Sequence, residues 1–563
     1  MNENENILDL RLSGQLSPED AHWMTTNSDR IIGLYNLLIE NLIEENDLKE
    51  LHLLLNVSCR NPYLNPLLDC LFRIELLNAR LDEGVLYTKI LVDRKDLKEP
   101  IDELFLKYGL DQPLIVLSGK ISSLFFSILK NTFKSFYGIF SDVFWSRVYR
   151  VKQNPSTNIV FIDNFLSNNS FDSEGRLTDR YYTGVEKHLS SSDAQNLWYA
   201  PTLANIKTPG DYRKVFSSIS KCGANLLIQE SWLGFFDYLL SLKLSFTLPW
   251  KVRRLTPIAG NDLSRLAISE ARSQVGSFEL VKAINKYLFI GCLRESRVKI
   301  SGVVDWNENQ VIDRALNLGF KKYFPDVHVR GYQCFMVSKY FACTEPKKFE
   351  KELSTLPDSY HVFGPSAPAA SGSVRQFLDV KPAPAFRFSY LRGLEKKATQ
   401  KPIILFLMPI TLFESRKLVH LYLEALSVFG SNYQLIAKIH PIYSLMQFQS
   451  AIPLAKDPRI NFTTLGMNDL IPKISILVST TSSACAECAS MGIPVAILGN
   501  SAGPTMSPIP EIIPDNYFTV CYSLNDLRRF VSKSLSGSDL KPLIDRVFYP
   551  TDHNGTKSLF VFE

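Results

Sequence analysis

A turn rich in hydroxyl groups is the most distinctive chemical feature of the sequence. Five consecutive Ser and Thr residues, 479–483, follow the apolar run 474–478 and precede a run of small residues. Hydroxyls and free backbone N–H groups at the start of a helix can bind a phosphate, and small side chains let the phosphate approach the backbone. Ordinary helix capping, the alternative interpretation, needs only one such residue. The pattern predicts a phosphate site formed by Thr481, Ser482 and Ser483.

A cation and an imidazole lie at the end of a second apolar run in the same half of the chain. Lys438 and His440 alternate along the sequence after this run, so both side chains can point to the same side, and Pro441 ends the strand. Such a pair could contact the phosphate of a leaving group. A lone His at a strand end is more often structural. The prediction therefore depends on the hydroxyl-rich turn that follows, because successive parallel strands can end at one crevice.

The elements that must position these residues alternate between strand and helix. Apolar runs typical of strands occupy residues 114–117, 158–162, 225–228, 299–304, 402–408, 433–439, 460–462, 474–478 and 493–498. Helical stretches separate most of these runs. The alternation predicts an α/β fold with two Rossmann-like lobes that face a cleft, preceded by a helical N-terminal extension.

The 563 residues are too many for one hydrophobic core, so several domains are expected. We predict a helical N-terminal region at 1–110 and an N-terminal Rossmann-like acceptor lobe at 111–345. A segment at 346–400, rich in Ser, Ala, Pro and Gly around 366–373, is predicted to be the interlobe linker. The C-terminal donor lobe is expected at 401–563.

The C-terminal motifs resemble the donor lobe of GT-B glycosyltransferases that build bacterial surface polysaccharides. The shared order is Lys-x-His-Pro at 438–441, Ser-Thr-Thr-Ser-Ser-Ala at 479–484, Glu487, and Met-Gly-Ile-Pro-Val at 491–495. Capsule Kdo transferases, sialyltransferases with His-Pro and Ser-Ser motifs, and polyol-phosphate transferases of teichoic acid synthesis are similar. In the Kdo and sialic acid members these motifs bind CMP. The resemblance implies that His440 contacts the donor phosphate and that Ser482 and Ser483 cap it.

The upstream half resembles proteins of surface carbohydrate biosynthesis. The matching segments are Asp-Arg-Tyr-Tyr at 179–182, Asp-Trp-Asn-Glu-Asn-Gln at 305–310, Asp-Arg-Ala at 313–315 and Gly-Tyr-Gln at 331–333. This resemblance covers roughly residues 155–510. Cys334 stands where a His commonly follows Tyr-Gln, so no role of that His carries over.

Glycosyl transfer needs a stabilised leaving phosphate, a base for the acceptor hydroxyl and a partner for charge on the sugar. We predict that carboxylates of the N-terminal lobe supply the last two. Glu308 is the first candidate, because it lies in a polar cluster directly after an apolar run. Glu230 and Asp163, each just past an apolar run, come next. An ordinary capping or solvated carboxylate is the alternative for each, and the sequence leaves retaining and inverting chemistry open.

The predicted nucleotide-binding residues are Lys438, His440, Thr481, Ser482, Ser483 and Glu487. No convincing Asp-x-Asp motif follows a strand, so no metal and no cofactor beyond the nucleotide-sugar donor is expected. The resemblance implies transfer of a CMP-activated Kdo or nonulosonic acid to a glycan or lipid-linked glycan of capsule or lipopolysaccharide. A UDP-sugar or CDP-polyol donor, or a non-catalytic polysaccharide-assembly scaffold, remains the alternative.

The composition narrows the class of protein. With 62 basic and 57 acidic residues the net charge is +5, too balanced for a nucleic-acid protein. Nine scattered cysteines and the polar first ten residues favour a reducing cytoplasm. Residues 114–140 are basic and aromatic. We expect them to form a helix packed in the N-terminal lobe, with peripheral association at the inner face of a membrane as the alternative.

Overall fold

The fold comprises an N-terminal region and two α/β lobes. In the computed structural model of the chain, the described residues are 6–12, 14–117, 124–155, 158–172, 174–258, 260–536 and 540–562, with the side chains of 535 and 536 left aside. Residues 118–123, which belong to the predicted helical stretch 114–140, lie outside the described residues. Each of the three units carries its own parallel sheet.

The N-terminal region combines four helices with a small sheet. Its helices are α1 (Pro18–Thr26), α2 (Ser28–Glu45), α3 (Leu67–Asp82) and α4 (Lys98–Lys107). Its parallel strands are β1 (Ile7–Asp9), β2 (Lys89–Val92) and β3 (Leu114–Leu117). The helices predicted over 1–110 are therefore present. The predicted strand 114–117 also forms, but it pairs with β2 of this region instead of with the acceptor-lobe sheet.

The N-terminal lobe is built on a six-stranded parallel sheet in the order β11-β10-β9-β8-β4-β6. Its strands are β4 (Ile159–Ile162), β5 (Phe165–Leu166), β6 (Leu197–Tyr199), β7 (Thr202–Leu203), β8 (Ile300–Trp306), β9 (Val329–Gln333), β10 (Ser359–Val362) and β11 (Asp379–Pro382), of which β5 and β7 form a separate pair. Its helices are α5 (Leu124–Val148), α6 (Ser191–Gln195), α7 (Pro209–Lys221), α8 (Phe235–Thr247), α9 (Ser264–Ser273), α10 (Phe278–Glu295), α11 (Val311–Tyr323), α12 (Lys348–Glu352) and α13 (Gly372–Arg375).

The C-terminal lobe has a five-stranded parallel sheet in the order β13-β12-β14-β15-β16. Its strands are β12 (Ile403–Leu407), β13 (Gln434–Lys438), β14 (Ile474–Ser479), β15 (Val495–Leu498) and β16 (Phe518–Cys521). Its helices are α14 (Leu412–Phe429), α15 (Leu445–Ala451), α16 (Met467–Leu470), α17 (Ala484–Ser490), α18 (Leu524–Ser536), α19 (Ile544–Val547) and α20 (His553–Phe560).

The end of the chain ties the two lobes together. Helix α20 returns to the N-terminal lobe, where the ring of Phe560 packs edge-on against Tyr182 with the centroids 5.5 Å apart. Arg330 of β9 donates a hydrogen bond to the carbonyl of Val561 at 2.9 Å. One apolar cluster also continues from the N-terminal sheet, through Val304, to the C-terminal sheet. Two parallel-sheet lobes with this connection are the GT-B architecture, so the predicted fold class is confirmed.

The predicted linker differs most from the structure. Strands β10 and β11 lie within residues 346–400 and complete the N-terminal sheet, so that lobe extends well past residue 345. The Ser/Ala/Pro/Gly-rich segment at 366–373 lies within the connection between these two strands, which also contains α13. Two other predicted strands are reduced to single bridges, one from Tyr199 to Leu226 and one from Ala437 to Phe462.

Candidate active site

Glu308 lies in the loop between β8 and α11, at the carboxyl edge of the N-terminal sheet. The indole N–H of Trp306 donates to its Oε1 at 3.0 Å, and the Gln310 amide donates to its Oε2 at 2.5 Å. The side chain is half-buried. A carboxylate with both oxygens oriented and one side open to solvent is well placed to accept a proton from a bound hydroxyl.

A layer of polar side chains fixes the backbone of this loop. Asp313, in the first turn of α11, accepts the N–H groups of Glu308 at 3.0 Å and Gln310 at 2.9 Å. The Asn307 side chain accepts the N–H of Asn309 at 3.1 Å, and Asn309 adopts a left-handed φ of 54°. Asn tolerates this conformation better than most residues. The loop therefore has little freedom to move.

A buried ion cluster braces the loop from behind. Glu350 is 1% exposed and binds Arg60 at 2.8 Å and Arg314 at 2.5 Å, and it also accepts the Asn309 amide at 3.0 Å. Burial alone would raise the pKa of Glu350, but the two guanidinium groups hold it below its ordinary value. Arg60 comes from the N-terminal region, so that region helps to hold the candidate catalytic loop.

Asp163, the third predicted catalytic carboxylate, directly follows β4 and is buried in the N-terminal lobe. It is 2% exposed and forms a salt bridge with the ammonium of Lys286 at 2.5 Å. Burial raises the pKa of Asp163, and Lys286 opposes that rise. A carboxylate enclosed in this way has no access to an acceptor hydroxyl, so its position supports a structural role.

Asp163 also forms a cluster with two further acids. Asp305 and Asp313 are buried, and one carboxylate oxygen of each of the three lies within 4.8 Å of the others, close enough to hold a cation. Burial raises the pKa of both Asp305 and Asp313, and the neighbouring carboxylates raise it further. The ammonium of Lys286 already lies against this cluster. We interpret the group as buried carboxylates behind the Glu308 loop that share the positive charge of Lys286, and we assign no metal to it.

Glu230, the second predicted catalytic carboxylate, follows the bridge at Leu226 and is 8% exposed. Its Oε2 atom is buried and has no hydrogen-bond partner among the described residues. Burial raises the pKa of Glu230, and the pKa of nearby Asp142 is raised by burial and then by the Glu230 charge. Asp142 belongs to α5, and the Ser146 hydroxyl of the same helix donates to the Glu230 carbonyl at 3.4 Å. Among the described residues, no hydrogen bond or salt bridge joins the pair of Glu230 and Asp142 to the Glu308 loop.

In the C-terminal lobe, His440 lies just past the end of β13 and is half-buried. The N–H of Ile442 donates to its Nδ1 at 3.2 Å, so the neutral ring carries its proton on Nε2 and can donate it to a ligand. Burial lowers the pKa of His440, and the charge of Arg180 lowers it further. Lys438 donates to the carbonyl of Leu465 at 2.5 Å, and burial lowers its pKa.

The hydroxyl-rich turn lies at the same sheet edge. β12 runs between β13 and β14, with Leu407 beside Lys438 on one side and accepting the Ser479 hydroxyl at 2.8 Å on the other. Two strand spacings separate the His440 and Ser482 segments by about 10 Å. The N–H groups of residues 481–483 donate to no described residue, so they are available to an anion.

Glu487 faces inward from α17 and is 8% exposed. The Tyr390 hydroxyl donates to its Oε2. Burial raises the pKa of Glu487, and the Tyr390 hydrogen bond and the Arg387 charge oppose the rise. Glu487 therefore orients Tyr390 and Arg387 and is itself poorly placed to contact a nucleotide.

Two arginines connect the edges of the two lobes. Burial raises the pKa of Tyr181, and the charges of Arg180, Glu308 and Arg387 all act on it. Arg180 also acts on His440, and Arg387 also acts on Glu487. The Tyr181 ring packs edge-on against Trp306, with the centroids 4.6 Å apart. Arg180 and Tyr181 therefore lie near both the Glu308 loop and the His440 segment, and we call the space between these two segments the crevice.

Both arginines are exposed, and neither forms a salt bridge with another described residue. Arg180 stacks on the Tyr181 ring and acts on the half-buried imidazole of His440, and a guanidinium group in this position without an ion pair among the described residues favours an anionic ligand. Sequence reasoning noted Arg180 only as part of a matching segment and missed Arg387 and Tyr390. The segment 386–393 forms 3-10 helix and was assigned to a linker, so no local pattern pointed to it.

No protein-family model matches the sequence, and no curated protein is significantly similar to it. Among solved structures, Staphylococcus aureus MnaA with UDP aligns at 11% identity and a TM-score of 0.40, covering 71% of this chain and 94% of that one. A UDP-GlcNAc 2-epimerase from Neisseria meningitidis bound to UDP-GlcNAc aligns at 9% identity and a TM-score of 0.39, covering 72% and 98%. The glycotransferase of kitacinnamycin aligns at 12% and 0.37, covering 73% and 95%. Because these TM-scores are low, we base the fold assignment on the strand order of the two sheets.

Proposed function

We propose that this protein is a glycosyltransferase of bacterial surface polysaccharide synthesis that uses a nucleotide-activated sugar. The observation that carries the proposal is the crevice bordered by the oriented carboxylate of Glu308 and by the unpaired donors of the C-terminal lobe. One side offers a base, and the other offers groups that stabilise a departing phosphate.

In this proposal the leaving phosphate accepts hydrogen bonds from the Nε2 atom of His440 and from the free N–H groups of residues 481–483. Arg180 and Arg387 balance its negative charge. Glu308 takes the proton of the acceptor hydroxyl as that oxygen attacks the sugar carbon, and the bond from this carbon to the phosphate oxygen breaks. The acceptor is a glycan or a lipid-linked glycan.

The donor is proposed to be CMP-linked Kdo or nonulosonic acid. The support for CMP is the order of the His-Pro and Ser-Ser motifs, which resembles that of enzymes with such donors. A UDP-sugar is the competing donor, and a CDP-polyol is the third candidate. All three donors present a phosphate to the same groups. The geometry of the crevice therefore supports binding of a phosphate and does not distinguish between the nucleobases.

Isothermal titration with CMP, CDP, UDP and GDP tests the proposal. We expect CMP to bind most tightly, and we expect His440→Ala to weaken it. UDP binding alone would replace the CMP donor and keep the transferase. Binding of no nucleotide to the wild type, or equal binding to the wild type and His440→Ala, would contradict a donor site at this edge.

A further inference from the structure

Two helices of the N-terminal lobe bury small and polar side chains and expose large apolar ones, which is the reverse of ordinary helices in water-soluble proteins. Helix α5 buries Ser135, Gly138, Ser141, Asp142 and Ser146, and α8 buries Tyr238, Ser241 and Ser245. Large apolar side chains point outward instead. Phe133 and Phe140 of α5 are 70% and 68% exposed, and Phe235 and Phe236 of α8 are 69% and 81% exposed. A helix whose core side is small and polar gains no stability from such rings in water.

The two outward faces form a single surface. Both helices pack on α10. The turn at Gly276 connects them: its N–H donates to Ser245 of α8 at 3.0 Å, and its carbonyl accepts the Ser135 hydroxyl of α5 at 2.7 Å. A Cβ at Gly276 would lie 3.0 Å from the Phe246 ring and 3.2 Å from the Thr132 hydroxyl. Residues of both helices therefore meet at one glycine.

The exposed charged side chains that α5 and α8 themselves carry are all positive. The exposed charged residues of the two helices are Lys130, Lys134, Arg147 and Lys243. Each helix has one acid, and neither projects freely: Asp142 is 4% exposed, and Asp237 accepts the N–H of Gly234 at 2.7 Å. Lys134 pairs with Glu279 of α10, which leaves three cations available.

We propose that the α5–α8 surface docks on an anionic lipid bilayer. The aromatic rings enter the boundary between headgroups and acyl chains, and the lysine and arginine side chains reach the lipid phosphates. The protein lies on the membrane instead of spanning it, because the inner sides of both helices pack on α10. Among the described residues, no helix is long and apolar enough to cross a bilayer. This inference stands independently of the transferase activity.

Co-sedimentation of the full chain with two kinds of vesicle tests the proposal. One vesicle is pure phosphatidylcholine, and the other is an equimolar mixture with phosphatidylglycerol. We expect binding to the anionic vesicle that weakens with salt. Phe133→Ser with Phe140→Ser should reduce this partitioning about tenfold or more. Lys130→Gln with Lys243→Gln should reduce it to a similar degree and remove most of its salt dependence.

Leu106→Ser on α4 is the matched control, because this leucine is 78% exposed and lies outside the surface. It should bind like the wild type, and all variants should keep the melting temperature since the altered side chains are exposed. The proposal would be overturned if the wild type bound neither kind of vesicle, or if the wild type and the phenylalanine variant bound equally. Sedimentation velocity that shows a dimer dissolved by the phenylalanine substitutions, without vesicle binding, would instead identify a contact between copies.

Discussion

The two edges of the crevice are built in opposite ways. At the N-terminal edge, Glu308 has a hydrogen bond to each carboxylate oxygen, and its loop rests on the buried Glu350 cluster. At the C-terminal edge, residues 481–483 leave their N–H groups free, and His440 keeps Nε2 available. One edge is organised before any ligand arrives, and the other keeps donors that a ligand must satisfy.

This difference assigns the orientation of the base to the N-terminal edge and the affinity for the nucleotide phosphate to the C-terminal edge. A base must be held in one direction to act on a hydroxyl, and the cost of holding it is met by folding. Donors for a phosphate can remain solvated until the ligand replaces water. Substitutions at the N-terminal edge should therefore affect rate or stability, and substitutions at the C-terminal edge should affect nucleotide binding.

The largest expected effect is on rate. Glu308→Gln keeps the shape of the side chain and one acceptor, which can still receive the Trp306 N–H, but removes the base, so we expect the turnover number to fall by about 100-fold to 10,000-fold. Nucleotide affinity should stay within about twofold, because the phosphate groups are at the other edge. Glu352→Gln, an exposed position on α12, is the control for activity. Full turnover by the Glu308→Gln variant would contradict the role of Glu308 as the general base.

The next effect is on stability. Glu350→Gln leaves Arg60 and Arg314 buried without a counter-charge, so the free energy of unfolding should fall by about 3–5 kcal/mol. Urea denaturation of this variant and of Glu352→Gln measures the difference. A loss below about 1 kcal/mol would mean that the N-terminal edge is not braced as described.

A smaller effect is expected on binding. His440→Ala removes one charge-assisted hydrogen bond to the donor phosphate, so the nucleotide dissociation constant should rise about tenfold to a hundredfold. The free energy of unfolding should change by less than about 0.5 kcal/mol, since the ring is only half-buried. His420→Ala, an exposed histidine on α14, is the matched control. Equal affinities of the two variants would contradict the assignment.

The smallest effect links the two lobes. Arg180→Met removes a cation that lowers the pKa of His440, so this pKa should rise in the variant. The imidazole would then be protonated over a wider pH range. NMR titration of the His440 ring in both proteins measures the change. An unchanged or lower pKa would show that Arg180 does not face His440 across the crevice.

The sequence predicted the parts of the site that are continuous in the chain. The strand, loop and helix around Glu308 form a local unit, and the loops after β13 and β14 each follow an apolar run. Their meeting at one edge follows from the rule that parallel strands end on the same side. The reduction of some predicted strands, such as 225–228, to single bridges changed little.

The parts that depend on long-range packing could not be predicted in this way. Arg387 reaches the crevice only because β10 and β11 place its segment beside the sheet, and the Ser/Pro composition of that region suggested a linker. The burial of Asp163 depends on Lys286, more than a hundred residues away. The outward aromatic face of α5 is likewise decided by which side packs on α10.

A crystal structure of the protein with CMP would show whether the His440 segment and residues 481–483 hold one phosphate. We expect the phosphate to lie within about 3.5 Å of the Nε2 atom of His440 and of the N–H groups of residues 482 and 483, with the ribose directed away from Glu308 and the phosphate oxygen that would carry the sugar directed toward it. A nucleotide bound outside the crevice, or a phosphate with no contact to either segment, would contradict this arrangement.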